Sequence, residues 1–311
     1  MSGNDRLTIA VVGAGAIGGW VAVRLASAGH RVMALTARGP IDALHLTDGD
    51  RSETASFEKF EGPADLLIVA VKATALASAV PSAARLLGSG TVVLPMLNGV
   101  PWWFTDQPLK SVDPDGAVGR AIPKSRIVGA VVHASCSRPA QGQIVVKHAD
   151  RLIVGEPEGG DSDRVERLAS LFEQAGVRCE QSGNVRRAIW YKLWGNATIN
   201  PLSALTRASC DLILVDPECR AWMLAGMSEL SAIGAAIGCA IEESGEDRMA
   251  VTARLGAFKT SMLQDVEAGR RIELEALLGA PREIALRHGI ATPALDRLYH
   301  VTKLLADSLA G

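Results

Sequence analysis

The sequence predicts an α/β protein whose N-terminal half is a doubly wound, largely parallel sheet and whose C-terminal half is all α. Three observations carry this expectation. Short, continuously apolar runs alternate with helical patterns in the first half, as strands covered by helices on both faces do. A glycine-rich turn joins the first run to the first helix. From about Gly183 strand-like runs thin out, and long helical patterns reach the C-terminus.

Taken in order, "LTIAVV" (Leu7 to Val12) is β-rich and apolar, "AIGGWVAVRLASAG" (Ala16 to Gly29) has helical spacing with a glycine stop, and "RVMALT" (Arg31 to Thr36) is strand-like again. That is a βαβ unit. The scheme repeats with "DLLIVAV" (Asp65 to Val71), a helix over Ala73 to Leu87, and "TVVLP" (Thr91 to Pro95). Shorter strands are expected at Ile127 to Ser135, Gln143 to Lys147 and Arg151 to Val154, then a helix over Ser162 to Ala175 and a last strand at Val177 to Glu180. The turn formers of "EQSGNV" mark the linker, so the domains are read as 1–182 and 183–311. In the second domain "AWMLAGMSELSAIGAAIGCAI" (Ala221 to Ile241) approaches the length of a bilayer span but carries Glu229 and two serines. It is read as a core helix packed on all sides, in which Gly226, Gly234 and Gly238 let other helices approach.

Composition bounds the function. A chain of 311 residues, 48% hydrophobic and 21% charged, has material for two folded domains. Its formal net charge of −2 gives no electrostatic reason to expect nucleic acid or an anionic membrane as partner. Cys136, Cys179, Cys210, Cys219 and Cys239 are widely spaced and odd in number, which indicates neither a disulfide framework nor a zinc site. The N-terminus lacks the build of a signal peptide, and a reducing cytoplasm is the default location.

The turn "GAGAIGG" sets Gly13, Gly15 and Gly18 in G-x-G-x-x-G spacing between strand and helix. Glycine serves there a tight turn, close approach of backbone to a pyrophosphate, and packing of helix on strand. Ala16 and Ile17 open the helix whose free N–H groups and dipole favour phosphate. This is the Rossmann-type pattern of a dinucleotide site; a flavin or S-adenosylmethionine site, or a tight turn binding nothing, are the alternatives. An NAD site usually carries a carboxylate at the end of the second strand, but "MALTARG" offers Thr36 and Arg38 and no carboxylate before Asp42. A guanidinium suits a 2′-phosphate, which favours NADP (NADPH) over NAD; a solvated surface arginine is the alternative. Lys72 and Asn98 follow two further strands at the ends where open α/β sheets bind ligands.

In "WYKLWGNATINP", Lys192, Asn196 and Asn200 recur every four residues and form one polar stripe on an otherwise apolar helix. Buried amide and ammonium groups need partners, either a ligand or the protein itself.

With these motifs in order, the sequence resembles the ketopantoate reductase (2-dehydropantoate 2-reductase) family, NADPH-dependent enzymes that reduce a 2-keto acid on the route to pantothenate. The likeness covers nearly the whole chain, through "GAGAIGG", "VAVKA", "LNGV", "KLWGNATINPLSAL" and "SMLQDVEAGRRIELEALLG". The resemblance implies Lys192 as catalytic lysine and Glu273 as active-site glutamate. It further implies Asn98, Asn196, Asn200 and Ser261 around the substrate, and Lys72 with Asn98 at the cofactor. It would turn the polar stripe toward a cleft between the domains, with 2-dehydropantoate reduced to pantoate as the reaction. An ion pair of Glu273 with Arg270 or Arg271 is the structural alternative to catalysis. Phe258 and Cys210 stand where the family is commonly polar, and Trp102 and Trp103 follow Asn98. These departures keep open a bulkier or aromatic 2-keto acid as substrate. A silent dinucleotide-binding sensor is the rival from outside enzymology. The apolar 221–241 helix also leaves a homodimer open, since such a helix can be shared between two copies or buried within one chain.

Overall fold

The computed structural model describes residues 6–309. The chain forms two compact units: one runs to Leu97 and resumes over Ala117–Val185, the other joins Asn98–Gly116 to everything from Arg186 onward.

In the first unit the chain order is β1 (Thr8–Val12), α1 (Ala16–Ser27), β2 (Arg31–Thr36), β3 (Gly39–Ile41), β4 (Ala43–Asp48), β5 (Arg51–Ser56), β6 (Leu66–Val69), α2 (Leu76–Ala84) and β7 (Val92–Pro95). After the excursion into the second unit come α3 (Ala117–Ala121), β8 (Gly129–Ser137), β9 (Gln143–Gly155), α4 (Asp163–Gln174) and β10 (Cys179–Gln181). One sheet has the order β3-β2-β1-β6-β7, with β2, β1, β6 and β7 parallel and β3 antiparallel at the edge. Its central strands β1 and β6 are buried on both faces, β6 "LLIV" at every position. Strand order reverses between β1 and β6, which creates the crevice where α/β sheets bind ligands at their carboxyl ends.

The later strands do not extend this sheet. They join β4 and β5 in a second one, of order β10-β9-β4-β5 with β8 on β9. Between the sheets lies α1, whose Gly18, Gly19, Trp20, Val21, Ala22, Val23 and Leu25 are all buried. A Cβ on Gly19 would stand 2.9 Å from Ile144 Cδ1 and 3.0 Å from Leu44 Cδ1, so glycine there lets the helix lie flat on β4 and β9. The hairpin β4–β5 and the edge strand β3 went unseen in the sequence. Their inward residues are few, Leu44, Leu46 and Ala55, and only one face is covered, so no continuous apolar run announces them. Similarly, the two short strands expected over 143–154 are one strand, β9, whose polar "KHADR" pairs with β8 across two register irregularities.

The second unit is helical: α5 (Val185–Thr206), α6 (Cys210–Val215), α7 (Pro217–Ala236), α8 (Gly245–Ala253), α9 (Ser261–Glu267), α10 (Ala280–Arg287) and α11 (Pro293–Ser308). A wide π-type turn over Glu275–Gly279 leads into α10. Trp190 and Trp194 of α5 are fully buried, and their indole N–H groups donate to the α7 carbonyls of Leu230 (3.0 Å) and Met227 (2.7 Å). A Cβ on Gly234 would stand 2.5 Å from Trp190 Nε1, and one on Gly226 3.0 Å from Thr198 Cγ2, so both glycines permit close packing of α5 on α7.

Two expectations for the 221–241 segment are corrected. Gly238 serves no helix contact; it takes φ 74° just past the end of α7, the usual glycine stop. Nor is the helix packed on all sides. Its buried residues, Met223, Gly226, Met227, Leu230, Ile233 and Gly234, form one stripe. Glu229, the charge in its middle, accepts the N–H groups of Ala294 (2.7 Å) and Leu295 (2.9 Å) at the start of α11. A carboxylate there satisfies two helix-end donors and complements the dipole. Among the described residues no helix is long and apolar enough to cross a membrane.

Candidate active site

The glycine turn separates the three roles of its glycines. Gly13 takes φ 99°, and a Cβ on it would stand 2.7 Å from the Ala70 backbone, so the turn from β1 can press against the end of β6 only without a side chain. A Cβ on Gly18 would stand 2.2 Å from the Gly13 carbonyl oxygen, which fixes the helix on the turn. Around Gly15, by contrast, the protein leaves open space: a Cβ there would come no nearer than 4.0 Å to any neighbour, the Gly13 carbonyl oxygen. The fold itself therefore does not require glycine at position 15, whereas close approach of a pyrophosphate would. No side chain caps the head of α1 and its first turn holds no acidic residue, so the amides at Ala16, Ile17 and Gly18 meet no competing carboxylate there.

Arg38 lies exposed in the turn between β2 and β3, where Thr36 Oγ1 accepts its backbone N–H at 3.2 Å. Its guanidinium has no ion pair among the described residues, and Asp42 pairs instead with Lys59 at 2.8 Å. Lys72 sits just past β6, where its carbonyl accepts the N–H of Ala75 at 2.8 Å. These residues fit a 2′-phosphorylated dinucleotide: an open glycine, an uncapped helix head and an unengaged cation at the end of β2.

In the second unit, Lys192, Asn98 and Glu273 come together from distant parts of the chain. Lys192 Nζ donates to Asn98 Oδ1 at 3.1 Å, and Asn98 Nδ2 points to Glu273 Oε2 at 3.4 Å. The amide thus turns its carbonyl to the ammonium and its NH2 to the carboxylate, the one orientation that suits both neighbours. Glu273 is buried at 9% exposure. It is not held by Arg270, which instead pairs with the buried Asp265 at 2.9 Å. Burial pulls the Lys192 ammonium down to about 8, against the upward pull of the Glu273 carboxylate.

The backbone around Asn98 is fixed by a device the sequence did not reveal. Gly99 takes φ 76°, and a Cβ there would stand 2.4 Å from the Ala276 carbonyl oxygen. That same carbonyl accepts the N–H of Val100 at 2.8 Å. It belongs to the wide turn at Glu275–Gly279, a geometry met mostly at functional sites. The dipeptide Asn98–Gly99 was the only available signal, and it does not disclose the partner.

Asn196 and Asn200 extend the stripe from Lys192 along α5. Asn200 is 6% exposed, and neither amide hydrogen-bonds to a protein group among the described residues. Ser261 opens α9 as an exposed residue, with Thr260 before it capping the helix by accepting the Leu263 N–H at 3.1 Å. No hydrogen bond ties Ser261 to Lys192, Asn98 or Glu273. The two departures from polarity adjoin each other: the buried Cys210 donates its N–H to the Phe258 carbonyl at 3.0 Å. Trp102 and Trp103 are core residues, 4% and 3% exposed.

An ammonium of lowered pKa beside a carboxylate, with further amides in line, can stabilise and protonate an oxygen that gains negative charge. Comparison with known proteins bears on which reaction does this. Residues 9–159 match the family model described as ketopantoate reductase PanE/ApbA, and residues 184–306 match that of its C-terminal domain. The chain belongs to the ketopantoate reductase family. A 2-dehydropantoate 2-reductase of Mesorhizobium japonicum is 35% identical over 96% of this chain and 98% of its own. A solved structure from Ralstonia solanacearum MolK2 superposes with a TM-score of 0.92 at 44% identity, covering 98% of this chain and 99% of that one. The 2-dehydropantoate 2-reductase of Geobacter metallireducens GS-15 gives 0.83 at 29% identity, over 95% of this chain and 99% of that one. Members of the family are oxidoreductases that reduce ketopantoate to pantoate with NADPH, and this chain has the family's two-part make-up, a Rossmann-like domain followed by a helical one.

Proposed function

We propose that this protein is an NADPH-dependent reductase that converts 2-dehydropantoate to pantoate, with Lys192 as the proton donor. The observation that carries the reading is the joining of Lys192, Asn98 and Glu273 in one hydrogen-bonded cluster. When bound, NADPH supplies the hydride to the carbonyl carbon. Negative charge then gathers on the carbonyl oxygen, which the Lys192 ammonium stabilises and protonates. A value of about 8 suits this role, because the group stays protonated near neutrality yet releases its proton more readily than a free lysine. Asn98 holds the ammonium in place, and Glu273 keeps it charged and accepts a hydrogen bond from the substrate hydroxyl. Asn196, Asn200 and Ser261 complete the substrate contacts in this reading.

Gly13, Gly15, Ala16, Ile17 and Gly18 take the pyrophosphate, Arg38 the 2′-phosphate, and Lys72 and Asn98 further contacts with the cofactor. A reducing cytoplasmic setting accords with five unpaired cysteines. A homodimer is the assembly this reading carries, with exposed apolar side chains such as Leu286, Val215 and Leu304 available to be covered.

A second reading keeps the reaction and changes the substrate to a bulkier or aromatic 2-keto acid. It is favoured by Phe258 and Cys210, which stand where the family is commonly polar and adjoin each other through a backbone hydrogen bond. Mixing the purified protein with NADPH and a panel of 2-keto acids, followed at 340 nm, separates the readings. Turnover greatest with 2-dehydropantoate supports the first; turnover greatest with an aromatic keto acid replaces it by the second. NADPH binding without oxidation of any panel member leaves only a sensor.

A further inference from the structure

We propose that Arg248 binds the carboxylate of the 2-keto acid, an inference that rests on the reductase reading above. Arg248 lies on α8 with its guanidinium against α5. It stacks over the Tyr191 ring, 5.1 Å from the centroid, and lies beside Gly195. A Cβ at position 195 would stand 3.1 Å from one terminal nitrogen of the guanidinium and 3.2 Å from Nε. Glycine there gives the flat group room against the helix, in a stretch where Lys192 precedes it and Asn196 follows. Three residues of α-helix separate Gly195 from Lys192, which is about 60° around the axis and roughly 4.5 Å along it. The guanidinium therefore lies on the Tyr191–Gly195 side of α5, about 60–100° around the axis from Lys192.

Its charge is uncompensated. Arg248 makes no ion pair and no side-chain hydrogen bond among the described residues, and its Nε is buried without a partner. Every nearby acidic side chain is engaged elsewhere. Glu243 accepts the Tyr191 hydroxyl, Glu246 pairs with Arg220, Asp247 accepts the Ser244 hydroxyl at 2.5 Å, and Glu242 faces Arg187 at 3.7 Å. A partly buried cation without a counter-charge is costly unless a ligand supplies one. With Nε shut off, the two terminal amino groups are the ones left to meet an anion, and they match the two oxygens of a carboxylate. A 2-keto acid carries that carboxylate next to the carbonyl that Lys192 protonates, so the two cations on adjoining faces of α5 address adjoining groups of one molecule.

The test compares the wild type with Arg248→Gln and Arg248→Lys, using a 2-keto acid that the wild type reduces and the neutral methyl ester of the same acid. For Arg248→Gln we expect KM for the acid to rise about tenfold or more, the usual scale of a charged hydrogen-bonded contact. KM for the ester stays within about twofold, so the preference for acid over ester collapses. NADPH affinity, read from protein fluorescence, is unchanged. Arg248→Lys keeps the charge without the fork and shows a smaller rise in the same direction, which guards against a folding defect in the glutamine variant. An unchanged preference for acid over ester overturns the assignment, as does an equal loss for NADPH, which would give the anion to the cofactor. A wild type that reduces no 2-keto acid sinks the reductase reading itself, and this assignment with it.

Discussion

Glu273→Gln tests the electrostatics of the cluster without removing its proton donor. The carboxylate raises the Lys192 value, which burial has brought to about 8, so its loss lets the value fall further. A nearby opposite charge moves a pKa by about 1–3 units, and the lower end, about one unit, applies because burial outweighs the Glu273 charge at Lys192. One unit is about 1.4 kcal/mol. For a group required in its protonated form, activity is full below the pKa and lost as pH rises through it. At pH 8 the protonated fraction falls from about one half to about one tenth, while at pH 6 it stays near about nine tenths or above in both proteins. The assay is kcat/KM from NADPH oxidation between pH 6 and 10. The variant's basic limb should lie about one unit lower, near pH 7. A limb that stays in place, or moves upward, refutes the coupling, whatever happens to the height of the profile.

Other expectations follow from the same geometry. Gly15→Ala enters open space, so stability in urea should change by less than about 0.5 kcal/mol while NADPH binding weakens about tenfold or more. Gly13→Ala, at φ 99° and 2.7 Å from the Ala70 backbone, should instead destabilise the fold by on the order of 2 kcal/mol in the same titration. Arg38→Ala should weaken NADPH far more than NADH in fluorescence titrations, and equal losses would remove the 2′-phosphate contact. Glu229→Ala should cost about 1–2 kcal/mol by urea unfolding, because two N–H groups at the head of α11 lose their acceptor, with KM unaltered.

What the sequence disclosed follows from how each residue is constrained. The βαβ unit was legible because β1, β2 and β6 are buried on both faces, which forces continuous apolar runs, and because Gly13 and Gly18 are dictated by contacts within a few residues or one strand away. The hairpin β4–β5 was not legible, since a half-covered pair needs only Leu44, Leu46 and Ala55 inside and is otherwise polar. At the site, the four-residue spacing of Lys192, Asn196 and Asn200 is local and could be read directly. The meeting of Lys192 with Asn98 and Glu273 is not local. Nothing in the chain near Asn98 tells that Gly99 abuts the Ala276 carbonyl, because that contact spans the whole second unit. Arg248 was passed over for a related reason: an arginine on a surface helix looks ordinary until the carboxylates around it prove to be engaged with other partners.

The most direct test of the central claim is single-turnover NADPH oxidation by Lys192→Ala in the presence of 2-dehydropantoate. The rate of the chemical step should fall about 10²-fold or more, the scale of acid catalysis, with NADPH affinity unchanged. A variant that oxidises NADPH at the wild-type rate would contradict the account, since the proton would then come from another group.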